Sequence, residues 1–321
     1  MSTRRKKDVS VRTRSFADLP PEILSYIASR LPMIELLSFR GTCRDFRSAS
    51  STATAATDSY RRPWLLLHKP DTSECILYNN EESKAYNRDI PDLKGAICLA
   101  SHEGWLLLFK DESIFFFSPF SLAKITLPDF PHKQVNKHVA AFSDVPTSPD
   151  CIISVINRID EFFVKVNVIS KGQTSWTPYK ISCPNTLKAS INAATFDRRC
   201  SSFYYMDDGK TFLHLSLKEK RCTRYTIVQP DAPKDGSEPV QPMPYYYHDN
   251  VFQKGIVNEK TRELFNLEED EHVDVCGLSY GALKPHVYLN EVVFDSTTKT
   301  RVRRAVWIQP RFSKPDPNHR W

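Results

Sequence analysis

Glycine is scarce in this chain, nine in 321 residues, well under the usual share of about 7%. No Gly-x-Gly-x-x-Gly stretch and no Walker-type loop occurs. Both cradle phosphates with glycine-rich backbone, so nucleotide chemistry is not expected. His-Glu-x-x-His is missing too, which removes a common signature of zinc proteases. No run of 18 uncharged apolar residues exists, so no membrane span is expected. The opening "MSTRRKKDVSVRTRS" is basic but has no apolar stretch behind it, unlike a secretory signal. Eight cysteines, at 43, 75, 98, 151, 183, 200, 222 and 276, form no Cys-x-x-Cys pair, and no Asn-x-Ser/Thr site occurs. That usage fits a reducing compartment, nucleus and/or cytoplasm, with the thiols serving as small apolar side chains.

Positive charge is lacking where it would matter for nucleic acid. The chain carries a net +6, but residues 1–15 hold six Lys/Arg against Asp8, and residues 299–321 hold seven against Asp316. The body between them is therefore net acidic. A basic pI of two ends is not a basic face, so nucleic acid is an unlikely partner on charge alone. The run Arg4-Arg5-Lys6-Lys7 reads as a solvated tail or as a nuclear-import signal.

What is present divides sharply at about residue 50. In "DLPPEILSYIASRL", Pro20 and Pro21 sit where a helix begins, since the missing N–H costs nothing there. Asp18 is placed to cap, and Glu22 suits the positive helix end. Ile23, Leu24, Ile27 and Leu31 recur at helical spacing. Pro32 opens a second helix bearing Ile34, Leu36, Leu37 and Phe39, with Gly41 as its expected stop. Cys43, Phe46 and Ala49 fall on one side of a short third helix. "SSTATAATDS", residues 50–59, has no large apolar residue and reads as a connector.

From Trp64 onward the pattern is short, aromatic and β-branched strands separated by turns. "MDDGK" at 206–210 is a hairpin signal, and "KDES" and "RIDE" read as two more turns. In "FFVKVNVI", Val164, Val166 and Val168 alternate with Lys165 and Asn167, which predicts one buried and one wet face. A loose repeat runs through the region, with Leu77, Phe117, Val168, Leu215 and Phe265 as equivalents at intervals of 40 to 51 residues. All-strand repeats of that length indicate propeller blades; a β-sandwich or a pair of barrels is the alternative. Residues 228–244 hold five prolines and read as a long exposed loop.

Candidate chemistry is thin. His132 with His138, and His272 with Cys276, lack the rest of a metal shell. Glu268 to Glu271 are contiguous acids, whereas a calcium loop needs spaced oxygen ligands. Trp105, Phe115, Phe116 and Phe117 read as core between blades. No catalytic, cofactor-binding or metal residue is expected, and no cofactor.

The helical segment carries a resemblance. Leu19-Pro20, Glu22-Ile23-Leu24, Ile27, Leu31, Leu36-Leu37, Phe39-Arg40, Cys43 and Arg47 resemble the F-box in residue type and spacing over about 35 positions. Phe46 keeps an aromatic where Trp is usual, and Gly41-Thr42 replaces a more common Ser-Val. "SHEGWLLL" at 101–108 and "SPFSLAKITLP" at 118–128 are similar to a plant-specific domain of unknown function that follows many plant F-boxes. The resemblance implies an α+β chain in two parts, a three-helix F-box and then an all-β, propeller-like domain. It implies a disordered basic tail over 1–14, the F-box at 15–49, a linker at 50–62, the recognition domain at 63–310 and a basic tail at 311–321.

An F-box implies docking on the Skp adaptor of a cullin-based ubiquitin ligase, with an unidentified target protein on the β domain. The expected adaptor-binding residues are Leu19, Pro20, Ile23, Leu24, Ile27, Leu31, Leu36, Cys43 and Phe46. Some of these must hold the three helices together instead, and the sequence does not sort the two groups. The chain is thus expected to be a non-catalytic, SCF-type substrate-recognition subunit. The rival expectation is a propeller enzyme or ligand- or sugar-binding protein with an incidental helical cap.

Overall fold

A computed structural model gives the fold and describes residues 19–51, 63–79, 84–135, 138–160, 162–182, 193–206, 211–219, 221–226 and 302–312, with pieces at 191, 246–247, 250–251, 272–276, 279–280, 315 and 320–321. The chain divides into two compact units, Met1–Ser59 and Tyr60–Trp321. Asp18, the 206–210 turn residues after Met206, the proline-rich 228–244 stretch, Phe265 and the acidic run at 268–271 lie outside the described residues.

The first unit is three short helices, α1 (Pro21–Ala28), α2 (Met33–Thr42) and α3 (Arg44–Ala49). Pro20 and Pro32 stand in the positions before α1 and α2 with extended backbone, φ −56° and −58°. α2 does not stop at Gly41. It continues to Thr42 because nothing there demands a left-handed residue, and Thr42 Oγ1 donates to the Ser38 carbonyl at 3.1 Å. The break falls at Cys43, extended at φ −158°, which lets α3 fold back against α1 and α2. Phe39 and Phe46 stack with ring centres 4.4 Å apart. Buried Arg40 donates through Nη2 to the Ser50 carbonyl at 2.6 Å, at the electronegative end of α3.

The second unit is built from antiparallel meanders. The first run is β1 (Trp64–His68), β2 (Glu74–Asn79) and β3 (Lys84–Asp89). The second is β4 (Ile97–His102), β5 (Trp105–Lys110), β6 (Ser113–Ser118) and β7 (Ala123–Thr126). The third is β8 (Val139–Phe142), β9 (Ile152–Arg158), β10 (Phe163–Ser170) and β11 (Thr177–Ser182). The fourth is β12 (Ala193–Asp197), β13 (Ser202–Met206), β14 (Thr211–Ser216) and β15 (Arg221–Thr226). Shorter strands follow: β16 (Tyr246–Tyr247), β17 (Asn250–Val251), β18 (His272–Cys276) and β19 (Ser279–Tyr280), then β20 (Val302–Ile308).

Three of the four-stranded sheets run in strict sequence order. The first sheet runs β18-β20-β1-β2-β3, so its place beside β1 is filled by a strand from the far end of the chain. Strands β4, β8 and β12, each the first of its sheet, neighbour one another, and β20 neighbours β4. That is the inner ring of a propeller closed by joining the two ends of the β unit. Phe117, Val168 and Leu215 fall on the third strands of their sheets and Leu77 on β2, the third strand counted from β20, so the repeat read from the sequence is the blade repeat.

Sheets stack through both faces. Ile153, Val155 and Ile169 of the third sheet join Trp105, Leu107, Phe116 and Phe142 in one core. Its other face sends Ile156, Val164, Val166 and Val168 to meet Phe203, Tyr205, Leu213 and Leu215 of the fourth. Each such side chain contributes roughly 1.5–3 kcal/mol of transfer energy. This double stacking corrects the one-wet-face expectation for β10. Asn167 is buried with the valines, and its Nδ2 stands 3.4 Å from His132 Nε2. Burial pushes the thiols of Cys75 and Cys151 up to about 12, so both are uncharged packing groups.

One polar link crosses between the third and fourth sheets. The Ser154 and Tyr205 hydroxyls are hydrogen-bonded, both buried. Burial raises the Tyr205 hydroxyl far above its usual range, so it remains protonated. Tyr205→Phe leaves the Ser154 oxygen buried without that partner, at a cost of about 1–2 kcal/mol. Thermal unfolding should shift down by roughly 2–6 °C, and adding Ser154→Ala should cost less than the two single changes summed. An additive result would mean the hydroxyls do not act as a pair.

The stretch 311–321, expected as a basic tail, lies on the propeller wherever it is described. Arg311 Nη1 donates to Glu103 Oε2 at 3.0 Å. Lys171 Nζ donates to the Arg320 carbonyl at 2.8 Å, and Trp321 stands beside Phe116 with ring centres 5.8 Å apart. The reason is spacing: β20 ends one residue before Gln309, so the following residues emerge at the β4–β5 turn. That turn, Glu103-Gly104, has both residues at positive φ, 48° and 80°. A Cβ on Gly104 would stand 2.7 Å from the Arg311 Cβ and 3.2 Å from the Gln309 carbonyl. Gly104→Ala is therefore strained in φ and obstructed by backbone at once. It should lower the unfolding free energy by about 2–3 kcal/mol, read by urea titration. A loss under about half a kcal/mol would show that the closing segment yields.

Candidate functional site

The helical unit sorts the nine residues expected to bind an adaptor. Leu24 (2% exposed), Leu36 (0%) and Phe46 (9%) are buried. Leu19, Ile27, Leu31 and Cys43 are half-buried, and Pro20 is exposed. Ile23 is the most open of the apolar set, at 47%.

The open residues are not scattered. Ile23, Ile27 and Leu31 follow one another at intervals of four, with Leu19 four before Ile23, so they line one stripe along α1 and its ends. Tyr26 joins this stripe between Ile23 and Ile27 and is 58% exposed. It was absent from the expected set, although its i+3 spacing from Ile23 was there to be read. Arg30 completes the pattern at i+7, its guanidinium carbon 3.5 Å from the Tyr26 ring centre. A cation held there stiffens Tyr26 and leaves the ring edge free. The stripe is a contiguous apolar surface on a unit too small to bury it. Tyr26 also borders a shallow groove in which Pro21, Glu22, Ser25 and Ser29 face Ser48, Ala49 and Ser51.

The helical geometry follows from local sequence. Two prolines start α1 without an N-cap side chain. Glu22 lies in the first turn, where a carboxylate is favoured. Buried Leu24 and Ala28 fix which side of α1 faces inward, and that choice turns Ile23, Tyr26 and Ile27 outward.

In the propeller unit, the other candidates do not gather into a reactive centre among the described residues. His132 and His138 face each other with ring centres 5.4 Å apart, beside Phe130. Burial, then the charge of Lys165, lowers the His132 pKa. His272 and Cys276 lie along β18. Trp105, Phe115, Phe116 and Phe117 are buried as inter-sheet core.

The end of the inner ring at the β4–β5 turn carries charge in pairs: Glu103 with Arg311, and Asp144 Oδ1 with Arg198 Nη2 at 2.8 Å. His102 stands among them on the Phe142 ring. Burial, outweighing the nearby Glu103, lowers its pKa to about 4, so it is neutral at physiological pH. The paired charges and the buried imidazole brace this end of the inner ring.

Comparison with known proteins agrees with both halves. Residues 16–53 match the F-box domain, and residues 77–302 match the KIB1-4 beta-propeller. Among curated relatives from Arabidopsis thaliana, the F-box/kelch-repeat protein At1g57790 is 29% identical over 167 residues, 51% of this chain and 46% of its own. F-box protein At3g56470 is 25% identical over 51% of this chain and 44% of its own, and F-box protein At1g49360 is 26% identical over 70% and 45%. The chain thus spans about half the length of the curated relatives it matches. With an F-box at one end and most of the rest matched by one propeller family, the chain belongs to the plant F-box proteins that carry a KIB1-4 β-propeller.

Proposed function

We propose that this protein is the substrate-recognition subunit of an SCF-type cullin ubiquitin ligase and makes no bonds itself. The F-box, residues 15–49, docks the Skp adaptor and through it the cullin. The segment 50–62 links it to the recognition domain, residues 63–310, which binds a target protein for ubiquitination. Holding the target beside the ubiquitin-charged enzyme raises the local concentration of its lysines, and that proximity is the catalytic contribution. The proposal includes a nuclear or cytoplasmic site of action, in keeping with Arg4-Arg5-Lys6-Lys7.

The observation that carries the reading is the stripe of Leu19, Ile23, Tyr26, Ile27 and Leu31 on the F-box, with Ile23 and Tyr26 exposed and the other three half-buried. Docking would bury it, with Pro20 and Cys43 at its border, while Leu24, Leu36 and Phe46 keep the helices in place. Purified full-length protein mixed with a plant Skp adaptor should elute as a one-to-one complex by size exclusion with light scattering. Two separate peaks at micromolar concentrations would overturn the reading.

A further inference from the structure

The third sheet sets two lysines against each other. Lys165 of β10 and Lys180 of β11 are direct cross-strand partners, so both side chains leave the sheet on one face. Like charges in that relation destabilise a sheet. Neither ammonium makes an ion pair among the described residues. Lys180 Nζ lies 4.0 Å from the Phe163 ring centre, a contact that holds the ammonium in place and leaves its charge intact. The same cationic face reaches His132 from the β7–β8 connection. His132 stands beside Asn167, two residues beyond Lys165 on β10, and feels the Lys165 charge.

At the same end, the β9–β10 hairpin presents Ile159 and Phe162, each 48% exposed. The tip is stiff. Asp160 Oδ1 accepts from the Phe162 and Phe163 amides at 2.8 and 2.9 Å, and the Ile159 amide donates to the Phe163 carbonyl at 3.0 Å. Arg158 Nε donates to the Asp160 carbonyl at 2.9 Å. Phe162 precedes Lys165 by three residues, so the apolar tip and the lysines lie about 10 Å apart along the strand. Exposed apolar anchors beside two like-charged lysines that make no ion pair among the described residues are the ingredients of an interface.

We propose that this end of the third blade is the docking surface for an acidic segment of the target protein. Target carboxylates meet Lys165 and Lys180, and an apolar target side chain meets Ile159 and Phe162. Charge complementarity selects this occupant, because an acidic chain relieves the Lys165–Lys180 repulsion and a basic one adds to it. The assignment rests on the target-holding role proposed above and gives it a place on the propeller.

The test uses the full chain and fluorescence anisotropy with a short labelled glutamate-rich peptide carrying interspersed leucines. A lysine–leucine peptide serves as the charge control. The wild type should bind the acidic peptide and not the basic one. Lys165→Glu and Lys180→Glu should each weaken binding about tenfold or more, whereas Lys218→Glu, on the exposed β14–β15 turn, should leave it unchanged. Lys165→Glu should also melt no lower than the wild type, because it turns a like-charge pair into an opposite one. No binding of the acidic peptide, binding indifferent to Lys165→Glu, or a lower melting temperature in that variant would overturn the proposal. So would displacement of the peptide by an equal charge concentration of single-stranded DNA, which would mark a polyanion surface. Adaptor capture by the same samples separates the two layers: if it persists while peptide binding fails, only this proposal falls.

Discussion

Replacing Ile23, Tyr26 and Ile27 together by alanine should weaken adaptor capture by about thirtyfold to several hundredfold while costing the free protein only about 1–3 kcal/mol. The two parts of that expectation come from the same burial values. Ile23 and Tyr26 are about half exposed, so each has roughly half its surface still to bury. Full burial of a large apolar side chain is worth about 1.5–3 kcal/mol, and half of that across two residues, with a smaller share from Ile27, gives about 2–4 kcal/mol. At 1.4 kcal/mol per tenfold, the dissociation constant should rise by about thirtyfold to several hundredfold. The half already buried is lost from the free protein, about 1–3 kcal/mol over the three sites. Leu36→Ala is the contrasting case. It removes a side chain with no exposed surface and should cost about 2–5 kcal/mol of fold stability. Phe46→Ala is a poor probe of docking, because it removes a ring stacked 4.4 Å from Phe39. The measurement is surface-immobilised adaptor binding alongside calorimetric melting. Retained binding in the triple variant would place the docking face elsewhere on the helical unit.

The stripe shows where sequence reading reached and where it stopped. Helical spacing found Ile23, Ile27 and Leu31 but could not say which side of α1 faced inward, so it grouped exposed Ile23 with buried Leu24. That distinction needs a second helix against the first. Gly41 was read as a stop on residue type alone; the geometry at Cys43 decided the matter. In the β unit, Leu77, Phe117, Val168 and Leu215 were legible as equivalents because each is a buried apolar residue on an interior strand of its sheet. Asn167 was misread as wet because alternation assumes one solvated face, and a blade has neighbours on both. The Lys165–Lys180 opposition was invisible for another reason. It depends on the β10–β11 register, and the two residues lie fifteen positions apart with an intervening turn of unknown length.

Deleting residues 302–321 should abolish the cooperative unfolding of the propeller. β20 occupies the place beside β1, pairing Trp64 with Ile308, Leu65 with Trp307, Leu66 with Val306, Leu67 with Ala305 and His68 with Arg304. Its Val306 and Ile308 are 0% and 1% exposed, together about 3–6 kcal/mol of transfer energy. Their removal uncovers β1, all five of whose residues are buried, and opens an apolar edge able to pair with other chains. Arg311, which braces Glu103, and the packing around Gly104 go with it. Against a typical total of 5–15 kcal/mol for a whole domain, that loss is comparable with the stability itself. The truncated protein should therefore bind a hydrophobic dye, aggregate and melt over a broad range, whereas Arg311→Ala, which removes only one half-exposed ion pair, should cost under about 1 kcal/mol. Ring closure makes the argument specific: a strand from one end of the unit is paired with a strand from the other, so its removal is felt in every blade whose inner strand leans on the next. A sharp transition within a few degrees of the full-length protein would show that the blades hold together without their closing strand.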